Sequence, residues 1–122
     1  MTPEKVLETV EAVMLRPFEW GPCDCCSAAC DVFARLWGFD PMGPVRGYVG
    51  ARDAARVIGG DLGALANRLA AEARLTPGHT SGGLALSVDG RSLLICITPG
   101  QWAGKTRGGF AILRAADRGW HA

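Results

Sequence analysis

Four of the five cysteines in this chain fall within a stretch of eight residues. They are Cys23, Cys25, Cys26 and Cys30, and the fifth, Cys96, lies far downstream. Closely spaced thiols of this kind serve either as nucleophiles or as ligands to a metal ion or an iron–sulfur cluster. The choice between these two chemistries depends on the partners that the rest of the chain supplies.

Cys25 is the cysteine best placed to act as a nucleophile. Asp24 is a favourable helix N-cap, so Cys25 falls in the first turn of the helix that follows. The helix dipole and the free N–H groups of that turn favour thiolate over thiol, and the same amides would stabilise an oxyanion. Cys26, Cys30 and Cys96 are expected to be buried core residues, because free cysteine is often buried.

A cysteine nucleophile needs a base within hydrogen-bond reach, most often a histidine. The chain has two histidines, His79 and His121. His121 is the penultimate residue and is expected to lie in a mobile tail. His79, in a loop before the first predicted strand, is therefore the candidate base for Cys25, with a solvated surface position as the alternative.

A metal or iron–sulfur site is the competing hypothesis. Cys23, Cys25, Cys30 and Cys96 could supply four thiolates, provided that the strand carrying Cys96 packs against the start of the cysteine helix. Iron–sulfur clusters tolerate varied spacing and mostly need four cysteines. Structural zinc favours paired Cys-x-x-Cys knuckles, which this chain lacks. We expect no cofactor, and an iron–sulfur cluster is the alternative.

Two tryptophans are candidates for binding. Trp20 precedes the cysteine helix and either packs against it or lines a substrate groove. Trp102 lies in a Gly-rich segment that is predicted to be a loop, where an exposed ring could contact a glycan or a neighbouring subunit. A packing role is the alternative for both residues.

The elements that must position these residues follow an α+β order. Apolar periodicity and caps predict helices over residues 3–15, 25–37, 51–58 and 62–74. Asp89-Gly90 predicts a hairpin turn between strands over 84–88 and 92–97, and a Gly-rich loop over 98–108 leads to a last strand over 109–113. Helices followed by a small antiparallel sheet indicate one α+β domain spanning residues 1–122.

Composition excludes several classes of function. The net charge is +1 with both signs mixed along the chain, which argues against direct nucleic-acid binding. No run of 18 apolar residues exists, so no membrane span is expected. A signal peptide begins with basic residues followed by an apolar stretch, whereas this chain has Glu4, Glu8 and Glu11 there. We therefore expect the chain to be made in the cytoplasm.

A motif at the cysteine helix resembles a known family. It consists of Phe18, Trp20, Gly21, Asp24 and Cys25 ahead of a helix, and is similar to small phage and prophage proteins related to the NlpC-type cell-wall cysteine peptidases. The resemblance implies a papain-like core and a place in the virion at the tail tip or hub. Other tail-tip proteins and host peptidoglycan would then be the partners. The cysteine matching Cys25 would be the nucleophile that attacks a peptide of the peptidoglycan stem.

The chain departs from this family at the histidine. In NlpC-type enzymes the histidine opens a strand after the cysteine helix, and the matching position here is Ser92, which cannot act as a base. We therefore expect a structural tail-tip protein built on a degenerate peptidase fold, made in the cytoplasm and then carried in the virion. The alternatives are an active peptidoglycan endopeptidase using Cys25 and His79, and a tail-tip protein that carries the cysteine-ligated cluster.

Overall fold

A computed structural model describes all residues, 1–122. Four α-helices come first: α1 (Pro3–Met14), α2 (Cys25–Trp37), α3 (Gly50–Ile58) and α4 (Leu62–Glu72). Six strands follow: β1 (Thr76–Pro77), β2 (Leu84–Leu86), β3 (Leu93–Thr98), β4 (Gln101–Lys105), β5 (Phe110–Leu113) and β6 (Gly119–His121). The predicted α+β class, with N-terminal helices and an antiparallel sheet, is confirmed.

The two longest helices begin and end at the residues that the sequence indicates. Thr2 accepts a hydrogen bond from the amide of Lys5 at the start of α1, with Pro3 in the first helical position. Asp24 caps α2, and Gly38 ends it in the left-handed conformation with φ of 86°. None of the four helices has both the length and the apolar character that crossing a membrane requires.

The strands form one antiparallel sheet in the order β1-β6-β2-β3-β4-β5, which leaves β3 in its interior. Side chains alternate along β3, as predicted. Leu93, Ile95 and Ile97 join the main core, which the helices also line. Leu94 and Cys96 join a small second cluster with Ala85 and Trp102. We call the first side of the sheet its helix face and the other its outer face.

The segment 98–108 was predicted to be a loop, but it contains β4. Trp102 and Ala103 are buried in this strand, and Gly104 lies against the side chain of Leu94 on the neighbouring strand β3. A Cβ on Gly104 would come within 2.9 Å of the Cδ2 atom of Leu94. Gly104 therefore allows close packing inside a strand, although the high glycine content of the segment had predicted a loop.

The C-terminus is also a strand instead of a mobile tail. β6 lies between β1 and β2 in the sheet, and its Trp120 is buried in the main core. The hairpin turn at Asp89-Gly90 is present, with β2 ending early at Leu86. The Ser87 hydroxyl accepts the amides of Arg91 and Ser92, which starts the turn sooner than the sequence suggested.

Candidate functional site

A buried carboxylate fixes the start of the cysteine helix. Asp24 is 1% exposed, and one of its oxygens accepts the amides of Cys26 at 3.0 Å and Ser27 at 2.8 Å. The other oxygen accepts the amide of Gly21 at 2.9 Å and the hydroxyl of Tyr48 at 2.5 Å. These four hydrogen bonds tie the loop before α2, the helix start and the segment around Tyr48 into one unit.

This cap changes the expected oxyanion site. The amides of Cys26 and Ser27 are committed to Asp24 and are not free to bind an oxyanion, contrary to the prediction for the whole first turn. The amide of Cys25 itself has no acceptor within the protein. The helix start therefore offers one backbone donor beside the thiol.

The Cys25 sulfur lies in a setting that favours thiolate. It is 3.8 Å from the sulfur of Cys26 and 3.9 Å from the carbonyl oxygen of Arg91. A hydrogen bond from the Cys26 thiol, with a smaller contribution from the Ser92 hydroxyl, lowers the pKa of Cys25 to about 7 against the opposing effect of burial. The same hydrogen bond, together with burial, raises the pKa of Cys26. Cys25 is thus the more acidic thiol of the pair, and Cys26 is the hydrogen-bond donor to it.

The other cysteines are poor nucleophiles. Burial raises the pKa of Cys96 to about 11, and burial also raises the pKa of Cys30. Cys23 is buried as well, with its sulfur 4.0 Å from the carbonyl oxygen of Val13. Cys25 is the one half-exposed cysteine of the five. The expectation that Cys26, Cys30 and Cys96 are core residues is confirmed.

Ser92 occupies the position beside Cys25 where a base would be needed. Hydrogen bonding by its hydroxyl and by the backbone of Leu93 lowers the pKa of the Cys25 thiol, and the carbonyl oxygen of Arg91, one residue earlier, lies 3.9 Å from the Cys25 sulfur. A serine hydroxyl does not accept a proton at neutral pH as imidazole does. The structure therefore brings Cys25 to the start of β3, where a histidine base was expected from the resemblance. No base is present at that position.

His79, the predicted base, lies on the outer face of the sheet and is not brought to Cys25. Its Nε2 donates to the carbonyl oxygen of Asp117 at 2.8 Å, and its ring stands edge-on to Trp102 with 5.2 Å between ring centroids. Trp102 belongs to the outer cluster, so the sheet separates the imidazole from the thiol. His121 alternates with the core residue Trp120 on β6 and also turns away from the helix face.

An apolar cavity opens beside the cysteine pair, between the start of α2 and the helices α3 and α4. Its enclosed volume is about 70 Å³, well below that of a pocket for a drug-sized ligand. Sixteen residues line it, of which 14 are hydrophobic, and the two others are Asp24 and Arg91. Cys25, Cys26 and Trp20 are among the lining residues.

A family model with the description "Domain of unknown function (DUF6950)" matches residues 2–122. The chain belongs to the DUF6950 family. No curated protein and no solved structure matches it.

The four cysteines predicted as cluster ligands are not brought together in the DUF6950 chain. Cys96 packs on the outer face with Trp102, whereas Cys23 and Cys30 lie in the main core. Asp24, Cys25 and Cys26 do place ligand atoms within 4.8 Å of one another. The carboxylate of Asp24 already accepts four hydrogen bonds, however, so it has little capacity left for a metal ion.

The two tryptophans predicted as binding residues differ in their exposure to solvent. Trp102 is 7% exposed in β4, so it packs in the sheet and is not the exposed contact residue that its Gly-rich surroundings suggested. Trp20 is 41% exposed, with its ring edge-on to Phe18 at 4.9 Å between centroids, and it borders the cavity. A binding role for Trp20 therefore stays a prediction of the sequence.

Sequence reasoning missed the cavity and its walls in this DUF6950 chain. Ala54 and Val57 of α3 and Leu65 of α4 line it, and none of them carries a chemical motif. The amphipathic pattern of both helices was visible, but which apolar face would meet the cysteine helix depends on contacts far apart in the sequence. The same holds for Tyr48, whose hydroxyl completes the cap of Asp24.

Proposed function

We propose that this protein is a non-hydrolytic component of the tail tip or hub of a phage or phage-like particle. Its papain-like fold would descend from the NlpC-type cysteine peptidases. The observation that carries the proposal is the set of groups that act on the Cys25 sulfur, namely the Cys26 thiol, the carbonyl oxygen of Arg91 and the hydroxyl of Ser92, with no imidazole among them. The motif from Phe18 to Cys25 supports the descent and the particle.

The chemistry of amide cleavage explains why this neighbour matters. A thiolate can attack a peptide carbonyl, but the amine that leaves must receive a proton, and a water must then be deprotonated to release the acyl group. Histidine performs both transfers in cysteine peptidases. Ser92 can perform neither, and His79 is held by Asp117 and Trp102 on the other side of the sheet.

Exposed apolar side chains support a role in assembly. Phe39 is 42% exposed and Val49 is 80% exposed, and both lie in the segment 38–50 that leads away from α2. Buried contact with another protein would remove these side chains from water. Other tail-tip or hub proteins are the proposed partners, with the chain made in the cytoplasm and then carried in the virion.

Particle assembly tests this proposal. A deletion of the gene should abolish infective particles, and Cys25→Ser should restore them when supplied in trans, because the thiol is not needed. Mass spectrometry of purified particles should detect the chain in a fixed proportion to other tail proteins. Particles that lack the chain, or complementation that requires the Cys25 thiol, would contradict the proposal.

A second candidate is an active peptidoglycan endopeptidase. It is favoured by the lowered pKa of Cys25, at about 7, and by the unbonded amide of the same residue. These features prepare the thiol for attack and leave one donor for the oxyanion. The missing proton donor to the leaving amine places this candidate second.

A further inference from the structure

A stripe of negative charge runs along the exposed side of α1. Glu4, Glu8 and Glu11 recur at helical spacing, so they share one face of the helix, and all three are exposed. None of them forms an ion pair within the chain. Like charges at this spacing repel one another, and Glu11 lies in the last turn, where the helix dipole disfavours a carboxylate. The charge of this acidic stripe is therefore not compensated within the chain.

A groove of opposite charge lies beyond the end of the same helix. It has a volume of about 470 Å³ and is formed by the loop before α2 and the turn that joins β4 to β5. Two aromatic rings, one hydroxyl and two cations line it: Phe18, Trp20, Lys105, Thr106 and Arg107. None of these residues is acidic, and neither cation takes part in an ion pair. The groove is therefore suited to an anionic partner that also has apolar groups.

The charge of Lys105 is nearly enclosed by the fold. Lys105 is 8% exposed, and its Nζ donates to the carbonyl oxygens of Thr106 at 2.7 Å and Gly109 at 3.1 Å. Carbonyl dipoles satisfy these hydrogen bonds but do not neutralise the ammonium group, and a buried cation without an acidic partner is costly. A carboxylate brought to the groove would supply the missing negative charge.

The acidic stripe and the groove belong to one continuous surface. Leu15 extends the stripe by one turn and is 57% exposed. Its Cδ2 atom lies 3.7 Å from the position that a Cβ of Gly109 would occupy, in the turn beside the groove. The amide of Phe18 donates to the carbonyl oxygen of Arg107 at 2.9 Å, which holds the loop against this turn. Acidic, apolar and basic groups thus follow one another across this surface.

We propose that two copies of this chain associate through this surface about a twofold axis, with the acidic stripe of each copy against the groove of the other. A surface that carries both signs side by side is complementary to itself under such a rotation, whereas a partner of uniform charge would match only one half of it. Each copy would supply carboxylates to the Lys105 and Arg107 side chains of the other. Leu15 and Trp20 would be removed from water. The inference goes beyond the proposed function, because a dimer can form with or without a particle.

Sedimentation velocity of the whole chain over a concentration series tests the proposal. The wild type should form dimers in low salt. Because the Debye length falls from about 10 Å at 0.1 M salt to about 3 Å at 1 M, the dissociation constant should rise by about tenfold over this range. A wild type that stays monomeric in low salt, or a dimer that does not respond to salt, would overturn the proposal. Either result leaves the assembly role untouched, because that role is tested on particles.

Charge reversal tests whether this surface forms the dimer. Arg107→Glu and Glu11→Arg lie at exposed positions, and each should give monomers, because the reversed charge repels the residue that it meets in the other copy. Mixing the two variants should restore a dimer with one copy of each, since both contacts become attractive. Arg68→Glu makes the same change of charge on α4, outside the surface, and should dimerise as the wild type does. Loss of the dimer in Arg68→Glu, or no dimer in the mixture, would overturn the proposal.

Discussion

The sulfur of Cys25 lies 3.9 Å from the carbonyl oxygen of Arg91, just before β3, and the next residue, Ser92, lowers the pKa of the thiol through its hydroxyl. This contact joins the two parts of the candidate site, the capped start of α2 and the start of β3. The Ser92 hydroxyl stabilises a thiolate but does not accept a proton as an imidazole does. We therefore expect a reactive thiol that does not hydrolyse peptides.

The Ser92→His variant should create a thiolate–imidazole pair. An imidazolium beside Cys25 would lower the pKa of the thiol below its present value of about 7. The midpoint of the pH profile of iodoacetamide alkylation should fall by about one unit or more. Ser92→Ala is the matched control and should move the midpoint upward. An unchanged midpoint in Ser92→His would show that residue 92 does not face the sulfur.

Cys26→Ala should make Cys25 less acidic. The pKa of Cys25 lies near 7 because the Cys26 thiol donates a hydrogen bond to the thiolate, so alkylation should be fully developed above pH 7 and lost as the pH falls below it. Removing the donor should shift this midpoint toward the ordinary value of 9.0. Peptide mapping should place the label on Cys25 alone. A profile that does not move would mean that the two thiols act independently.

Tyr48→Phe should destabilise the fold through Asp24. The tyrosine hydroxyl is one of four donors to that buried carboxylate, and its loss leaves a charged acceptor short of a partner. The cost should be about 1.5–3 kcal/mol in the free energy of unfolding, measured by urea denaturation. Val49→Ala, one residue along at an exposed position, should change stability by less than about 0.5 kcal/mol. Equal effects of the two variants would contradict the role given to the cap.

Gly104→Ala should destabilise the sheet. The added methyl group would come within 2.9 Å of Leu94 across β3 and β4. Overpacking of this kind costs about 1–3 kcal/mol, which thermal unfolding can detect. Gly108→Ala is the matched control, since a Cβ there has no neighbour within 4 Å. Similar losses in both variants would argue against the close packing described for β4.

Much of the helical half could be predicted from the sequence because its signals are local. Asp24 as a cap and Gly38 as a stop depend on residues within one turn, and both are confirmed. The alternation along β3 could also be predicted, because successive side chains of a strand point to opposite faces of the sheet. The apolar residues of β3 fill both faces. These features placed Cys25 at the start of its helix before any tertiary contact was known.

Other parts of the site depend on contacts that no local pattern reports. The sequence did not indicate β4 because Gly104 suggested a turn, whereas in the structure it packs against Leu94 inside the sheet. His79 was a plausible base because the sequence does not show on which face of the sheet its ring lies. That face is set by the pairing between β6 and β2, which are far apart in the chain. The cavity likewise exists only once α3 and α4 have docked beside Cys25.

The most direct test of the central claim is digestion of purified peptidoglycan by the purified chain, followed by chromatography of the released muropeptides. The wild type and Cys25→Ala should give the same trace as buffer, while an active cysteine endopeptidase serves as the positive control for the sacculi. Release of cleaved stem peptides by the wild type and not by Cys25→Ala would contradict the account, because it would require a proton-transfer group that Ser92 and His79 do not provide.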